Sequence, residues 1–530
     1  MTKMEAKSEV EESNRMWSSA SFVGVLFIIG LPLWWKTTEV YRVSLPYDKI
    51  NSFNTLSHAV TAELTVLAND NAAAEVIVNH IKKEFEESDV IKLNIKKLVL
   101  PDDLRRTLDS VADENDAVEE VAGKYNLKKH NTFYVVQRSP LHQDVWLSEE
   151  RLAFFRDAKA SKTLVQVLKQ WVYQTSILEG SRLDTPDVAR QTRFPPGEEY
   201  HIVLSVVHPK PDGLAVDFDA GDAVENYIGS FVDELSELHN FTLKSQWLYL
   251  LDFDFQAKEV KDGSEWGRHY AVRRERLQLL LTRLEERAAP QVSTLPTLNI
   301  ALYLVPCTHA PLLIYDHNDK PVSSSVQAFM SPKWGGVMLY SPTAAECAAA
   351  SPASKPDVRL IMGTFLAQLR TLLGIADISS IPGARVEPLT SVRPRRWELD
   401  ALLRLRTTGQ LAAAQRALAS LAQLLGEISN IVINDEVGAS INSAVESIEA
   451  AETLLSKDLL EAYKLSLRAH IDAETAFMEP SLLALLYFPD DQKYAIYIPL
   501  FLPIMFPVIL SLKNLLLWFR GKTVNKEKTE

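Results

Sequence analysis

Two cysteines in 530 residues, Cys307 and Cys347, are too few for a disulfide framework or a cysteine-rich zinc site. One bridge can be written; two unpaired buried thiols fit the sequence equally well. The common loops of nucleotide, ester and metal chemistry are also missing. There is no Gly-x-x-x-x-Gly-Lys-Ser/Thr, no Gly-x-Ser-x-Gly, no His-Glu-x-x-His and no Gly-x-Gly-x-x-Gly, so no cofactor or resident metal is implied. A surplus of basic charge is lacking too. With 69 acidic against 56 basic residues the net charge is -13, which excludes nucleic acid as a partner, because neutralising phosphates takes a basic surface.

What the chain does have is two long runs without charge. Trp17 to Trp35 (WSSASFVGVLFIIGLPLWW) carries no ionisable side chain and at ~1.5 Å per residue is about long enough to cross a bilayer. It is followed by Lys36 rather than by the small residues of a cleavage site, so it reads as an uncleaved signal anchor. The second run lies in Tyr494 to Phe519, where Ala495 to Leu512 (AIYIPLFLPIMFPVILSL) is uncharged. Pro499, Pro503 and Pro507 recur every four residues, a spacing that membrane helices accommodate and soluble core helices do not. They fit either a stripe that packs on a partner helix or simple tolerance in a lone anchor.

Charge around the second run sets the orientation. Lys513, Arg520, Lys522, Lys526 and Lys528 follow it, so the C-terminus belongs in the cytosol, and two spans bring the N-terminus to the same side. The expected fold class is a membrane protein with two transmembrane helices and a lumenal α/β domain followed by a helical bundle. The expected segments are a cytosolic tail over 1–16, a span over 17–35, the α/β domain over 36–394, the bundle over 395–493, a span over 494–519 and a cytosolic tail over 520–530. Lys526 and Lys528 resemble a dilysine signal for retrieval to the endoplasmic reticulum (ER). The sequon Asn240-Phe241-Thr242 lies between the spans and is a glycosylation candidate in the lumen.

Between the anchors, β-branched runs at Glu63–Ala68, Leu93–Leu100, Thr132–Val136, His201–Val207, Ser245–Phe253 and Leu298–Val305 read as strands. Helical periodicity marks Ala72–Glu87, Ser148–Asp157, Lys162–Leu178, Ala223–His239, Arg273–Arg287 and Val358–Leu373. One sheet-containing unit or two related halves is expected, with no fixed-period repeat. From Arg395 the spacing predicts amphipathic helices over Trp397–Arg406, Gln410–Ile428, Val437–Leu455 and Lys457–Phe477, the last starting at Ser456 with Asp458 near its positive end.

Three clusters could carry chemistry. Cys307-Thr308-His309 pairs a thiol with an imidazole, although dyads are normally assembled from separate elements, and a turn is the simpler reading. Asp252 and Asp254 share one face of a strand and could hold a cation; Phe253 and Phe255 on the other face favour a half-buried strand. Arg393, Arg395 and Arg396 could grip acidic partners or lipid head groups, or form a solvated helix entry.

Three stretches carry a resemblance. Gly30–Tyr47 (GLPLWWKTTEVYRVSLPY), Ser331–Tyr340 (SPKWGGVMLY) and Glu479–Leu512 (EPSLLALLYFPDDQKYAIYIPLFLPIMFPVILSL) are similar to the phosphatidylinositol-glycan class S family. Members of that family are subunits of glycosylphosphatidylinositol (GPI) transamidase. The resemblance implies a non-catalytic subunit of the ER membrane enzyme that replaces a proprotein's C-terminal signal with a preformed GPI anchor. It implies as partners the other transamidase subunits, including a caspase-like catalytic one, and ER membrane lipids, and it leaves open GPI itself. No catalytic residue carries over. A membrane-anchored lumenal hydrolase or transferase acting on a glycolipid is the alternative, and it requires a polar cleft with converging acid, base or nucleophile.

Overall fold

A computed structural model of the chain describes residues 2–38, 41–183, 197–252, 256–261, 267–287, 295–332, 334–375, 377–389, 391–428, 431–484 and 490–519. They form two compact units. The larger comprises 55–414 and 446–470; the smaller comprises 1–54, 415–445 and 471–530.

The larger unit contains two sheets of one design. In the first, β1 (Val60–Ala68), β2 (Ile91–Val99), β3 (Thr132–Gln137), β4 (Val145–Leu147) and β5 (Leu152–Phe155) lie in the order β4-β5-β3-β1-β2, with a short late strand, Ala384–Val386, beyond β4. All pairings are parallel except β4 with β5. In the second, β6 (Glu199–His208), β7 (Asn240–Tyr249), β8 (Thr297–Leu304), β9 (Gln327–Ser331) and β10 (Gly335–Tyr340) lie in the order β9-β10-β8-β6-β7, and β9 with β10 is the antiparallel pair. Strand for strand the two orders are the same. The expectation of two related halves is the one realised, and the shared feature is topology.

Burial on both faces explains the composition of the central strands. β1 is almost wholly buried because helix α1 (Asn71–Phe85) covers one face through Ile77 and Ile81, while Leu104, Leu108 and Val121 cover the other. Asp70 caps α1 by accepting from the Ala73 N–H at 2.7 Å. In the second half, α2 (Leu277–Arg287) packs Leu277, Leu280 and Leu284 against Val207, Tyr303 and Val337. Helix α3 (Val358–Leu373) has the expected bounds, capped by Asp357 and ended by Gly374 at φ 96°.

Three expected helices are different. Ser148–Asp157 is not a helix: Leu152–Phe155 is strand β5, a run buried on both faces, where neither period is legible. Trp397–Arg406 and Gln410–Ile428 are one continuous helix, α4 (Arg396–Glu427). The Thr407-Thr408-Gly409 step that suggested a break is buried: the Thr407 hydroxyl donates back to the Leu403 carbonyl at 2.8 Å. Helices α5 (Asp435–Leu454) and α6 (Leu459–Phe477) follow, and Asp458 rather than Ser456 caps α6, accepting from the Leu460 and Glu461 N–H groups.

In the smaller unit, a helix over Thr2–Val25 runs through one π turn, Leu26–Gly30, into Leu31–Thr38, and its first part packs against the last helix, Asp490–Phe519. The chain beyond Thr38 is tied down by backbone pairing. Val43 N–H donates to the Ile433 carbonyl at 3.1 Å and Ile433 N–H to that of Tyr41 at 3.0 Å. The Arg42 guanidinium donates to the Leu425 carbonyl at the end of α4.

Candidate functional site

Cys307 and Cys347 are bonded to one another, their Cα atoms 5.5 Å apart. The alternative of two free thiols is therefore dropped, and Cys307 is no nucleophile. His309 stands edge-on to Tyr270, ring centroids 5.3 Å apart. Asp252 is exposed just past β7, and Asp254 lies outside the described residues. Among the described residues no group of three or more His, Cys, Asp or Glu is arranged to hold a metal.

The three arginines are engaged within the protein. Arg395 is buried, bonded to Glu398 at 2.9 Å and to the Glu387 carbonyl at 2.7 Å; Arg396 pairs with Glu150 at 3.0 Å and Arg393 with Glu234 at 3.5 Å. This corrects both readings of the cluster for Arg395, which neither grips a partner nor lies in solvent.

Sequence reasoning missed the most concentrated polar network. Arg151, on the turn before β5, binds Asp400 of α4 through Nε at 2.6 Å and Nη2 at 2.8 Å, and also donates to the Leu127 and Lys128 carbonyls. His130 lies between Asp400, at 3.1 Å from Nδ1, and Glu237, at 3.0 Å from Nε2. Arg404, one turn after Asp400, donates to the Val172 carbonyl at 2.6 Å. Burial works against the Asp400 charge, but hydrogen bonds from Arg151 and His130 outweigh it and hold the carboxyl below its usual range. Apart from the buried Arg404 Nε, which has no partner among the described residues, these polar groups are spent on one another and on backbone carbonyls, and the network clamps α4 to the sheets. Asp400 and Arg404 four apart in a largely apolar stretch were the signal; the partners, over 230 residues away, were not readable.

Both halves reverse strand order beside their first strand, where α/β sheets bind ligands beyond the strand ends. In the first half Gln137, at the end of β3, accepts there from the Asn69 N–H at 2.9 Å. In the second half a cavity of about 100 Å³ is lined by His208, Leu214, Val305 and Cys307. The His208 Nε2–H donates to the Leu214 carbonyl at 2.9 Å, and burial lowers its pKa, keeping it neutral. That volume falls short of the roughly 300–1,000 Å³ of small-molecule sites. A wider cleft, about 620 Å³, lies between α2 and β9.

The Trp334-Gly335-Gly336 motif beside this cleft has a steric cause. A Cβ on Gly335, whose φ is +148°, would stand 1.6 Å from the Asn299 carbonyl oxygen of β8; one on Gly336 would stand 1.9 Å from Gln368 Oε1 of α3. Gln368 lies across β9 and β10 here, and its Nε2–H donates to the Phe329 carbonyl at 3.0 Å.

At the chain ends, Ser13–Leu33, 21 residues, is the one helix among the described residues long and apolar enough to span a bilayer; the described apolar part of the last helix, Met505–Trp518, is shorter. Pro499, Pro503 and Pro507 lie inside the last helix and are exposed, whereas Val508 is buried. Asn240 is exposed at the start of edge strand β7. Lys526 and Lys528 lie outside the described residues.

These features define a large duplicated α/β protein with an N-terminal helix of membrane-spanning length. The chain belongs to the phosphatidylinositol-glycan biosynthesis class S protein family, whose profile matches residues 21–522. It is 34% identical over 542 residues to the GPI-anchor transamidase component PIGS of Bos taurus, covering 96% of each chain, and 33% identical to that of Homo sapiens, covering 99% of each. The GPI transamidase component PIG-S homolog of Schizosaccharomyces pombe is 24% identical over 93% of this chain and 82% of its own length.

Proposed function

We propose that the chain is a non-catalytic subunit of a GPI transamidase, the ER membrane complex that exchanges a proprotein's C-terminal signal for a preformed GPI anchor. The supporting observation is likeness along nearly the whole length to proteins named as components of that complex. The disulfide supports the accessory role. With Cys307 bonded to Cys347 and no other cysteine in the chain, the caspase-like nucleophile expected for this family's complex comes from another subunit.

In this reading the terminal helices both span the membrane, both termini are cytosolic, and the two α/β halves work in the lumen, where Asn240 is glycosylated. Helix pairing between the two ends supports it, as do the basic residues after the last helix, and Lys526 and Lys528 supply the retrieval signal. The exposed proline row is the surface that packs beside the membrane helices of partner subunits. ER lipids surround these helices.

The test is deletion of the gene with rescue by Cys307→Ser/Cys347→Ser, scored by surface display of GPI-anchored proteins and by accumulated free GPI. Opening a 40-residue loop is expected to cost up to about 4 kcal/mol of stability and yet restore display. Loss of display by a variant that still folds and assembles would overturn the accessory role.

A further inference from the structure

The cleft between α2 and β9 has a volume in the small-molecule range, about 620 Å³, and a divided lining. Its floor is the open side of the second half's core. Leu277 and Ile314 form the base, with Leu281, Phe329 and Met330 half-buried and Val322 at 40% exposure. Such a surface favours an apolar occupant by about 25 cal/mol for each Å² it covers.

The rim is charged, and its charges can be accounted for one by one. Glu275 is spent on His317, with Oε1 3.2 Å from Nδ1. Asp316 folds back on its own turn, accepting from the Asn318 and Lys320 N–H groups at 2.8 and 3.0 Å, which holds its carboxyl below the usual range. Arg273, next to the cleft, is paired with Asp319 at 3.0 Å. Arg274 is exposed at the mouth and has no ion pair or side-chain hydrogen bond among the described residues. Among the described residues Asp316 keeps its charge without a cationic partner, and the unpaired cation on the rim is the Arg274 guanidinium, suited to a bidentate carboxylate or phosphate.

Leu312–Tyr315, one of the two strands bordering the cleft, offers no free ladder to an extended peptide. In Leu312–Tyr315 the Ile314 carbonyl accepts from the Val322 N–H at 2.9 Å, the Ile314 N–H donates to Gln327 Oε1 at 2.7 Å, and the Leu312 N–H donates to Ser341 Oγ at 3.1 Å. Along this strand an occupant binds through apolar contact and one charge.

We propose that this cleft binds a single-chain anionic lipid, its acyl chain over Leu281, Phe329 and Met330 and its phosphate or carboxylate on Arg274. This goes beyond membership in a transamidase and does not depend on it. The test uses the full chain in phosphatidylcholine nanodiscs and two photoreactive probes of equal chain length, lysophosphatidic acid and lysophosphatidylcholine, with labelled peptides mapped by mass spectrometry. The anionic probe is expected to label α2 and β9. Arg274→Gln, a surface change, should reduce that labelling about tenfold and lower labelling by the zwitterionic probe much less, because its phosphate is already offset by its own choline charge. Ala328→Trp, which fills the cleft, should abolish labelling of both elements while the thermal transition is retained. Equal labelling by the two probes, labelling confined to the terminal helices, or wild-type labelling of Ala328→Trp would each overturn the proposal.

Discussion

His239 is held neutral by its surroundings. Burial first and the Arg406 charge second push its pKa to about 3, and Nδ1 lies 2.9 Å from the Gly197 carbonyl. Below the unfolded value of about 6.5 the unfolded chain binds a proton that the native chain refuses, so stability falls with acidification by up to ~1.4 kcal/mol per pH unit until about pH 3. His208, also lowered by burial, acts in the same direction. His130 opposes them: its hydrogen bond to Asp400 raises its pKa, so its contribution is complete below about pH 6.5 and is lost as pH rises through its folded value. Asp400, held low, contributes above about pH 3.9 and loses that contribution as pH falls through its folded value. The expected outcome is that His239→Gln flattens the decline in Tm between about pH 6.5 and 4.5, whereas His130→Gln destabilises more at pH 5.5 than at pH 8. Profiles parallel to wild type for both variants would show that neither imidazole carries the linkage.

At the level of elements, β10 is seated between β8 and α3 by two glycines that fail differently when replaced. Gly335→Ala drives a Cβ into the Asn299 backbone, which has nowhere to go, and adds a strained φ; the expected cost is at least about 3 kcal/mol. Gly336→Ala meets the end of the Gln368 side chain, which can swing away at the expense of its bond to Phe329, for about 1–2 kcal/mol. Gln368→Ala should therefore relieve Gly336→Ala and leave Gly335→Ala unrelieved, measured as coupling in a double-mutant cycle of thermal unfolding. Equal rescue of both would mean that Gln368 does not hold this seat. The SPKWGGVMLY stretch could be recognised in the sequence as a motif, but its cause could not, because Asn299 and Gln368 lie more than 30 residues away on either side. The same limit governed the strands and helices. β1, β3, β6 and β8 were legible from β-branched runs, and α3 from its period. β5 was not, because four consecutive buried residues carry no period, and α4 was cut at Gly409 because local propensity points to a break that tertiary packing overrides.

At the scale of the whole molecule, two halves with one strand order lie in the sequence between the two terminal helices, and among the described residues no group of three or more His, Cys, Asp or Glu is arranged to hold a metal. The sequence left open whether there was one unit or two related halves, because what repeats is the order of parallel pairing, which sequence spacing does not encode. Topology in the membrane is the property on which the accessory reading depends most. The last helix carries the decisive charges, Lys513 and the basic residues beyond it, while the first is flanked almost evenly by Lys3, Lys7 and Arg15 before and Lys36, Arg42 and Lys49 after. In sealed microsomes, tags at both ends should be digested by added protease, while the α/β halves stay protected and bear one endoglycosidase-sensitive glycan that Asn240→Gln removes. A protected C-terminal tag would reduce the protein to a single span; then Lys526 and Lys528 could not be read by cytosolic coat proteins, and the proline helix would lie in the lumen rather than beside the membrane helices of its partners.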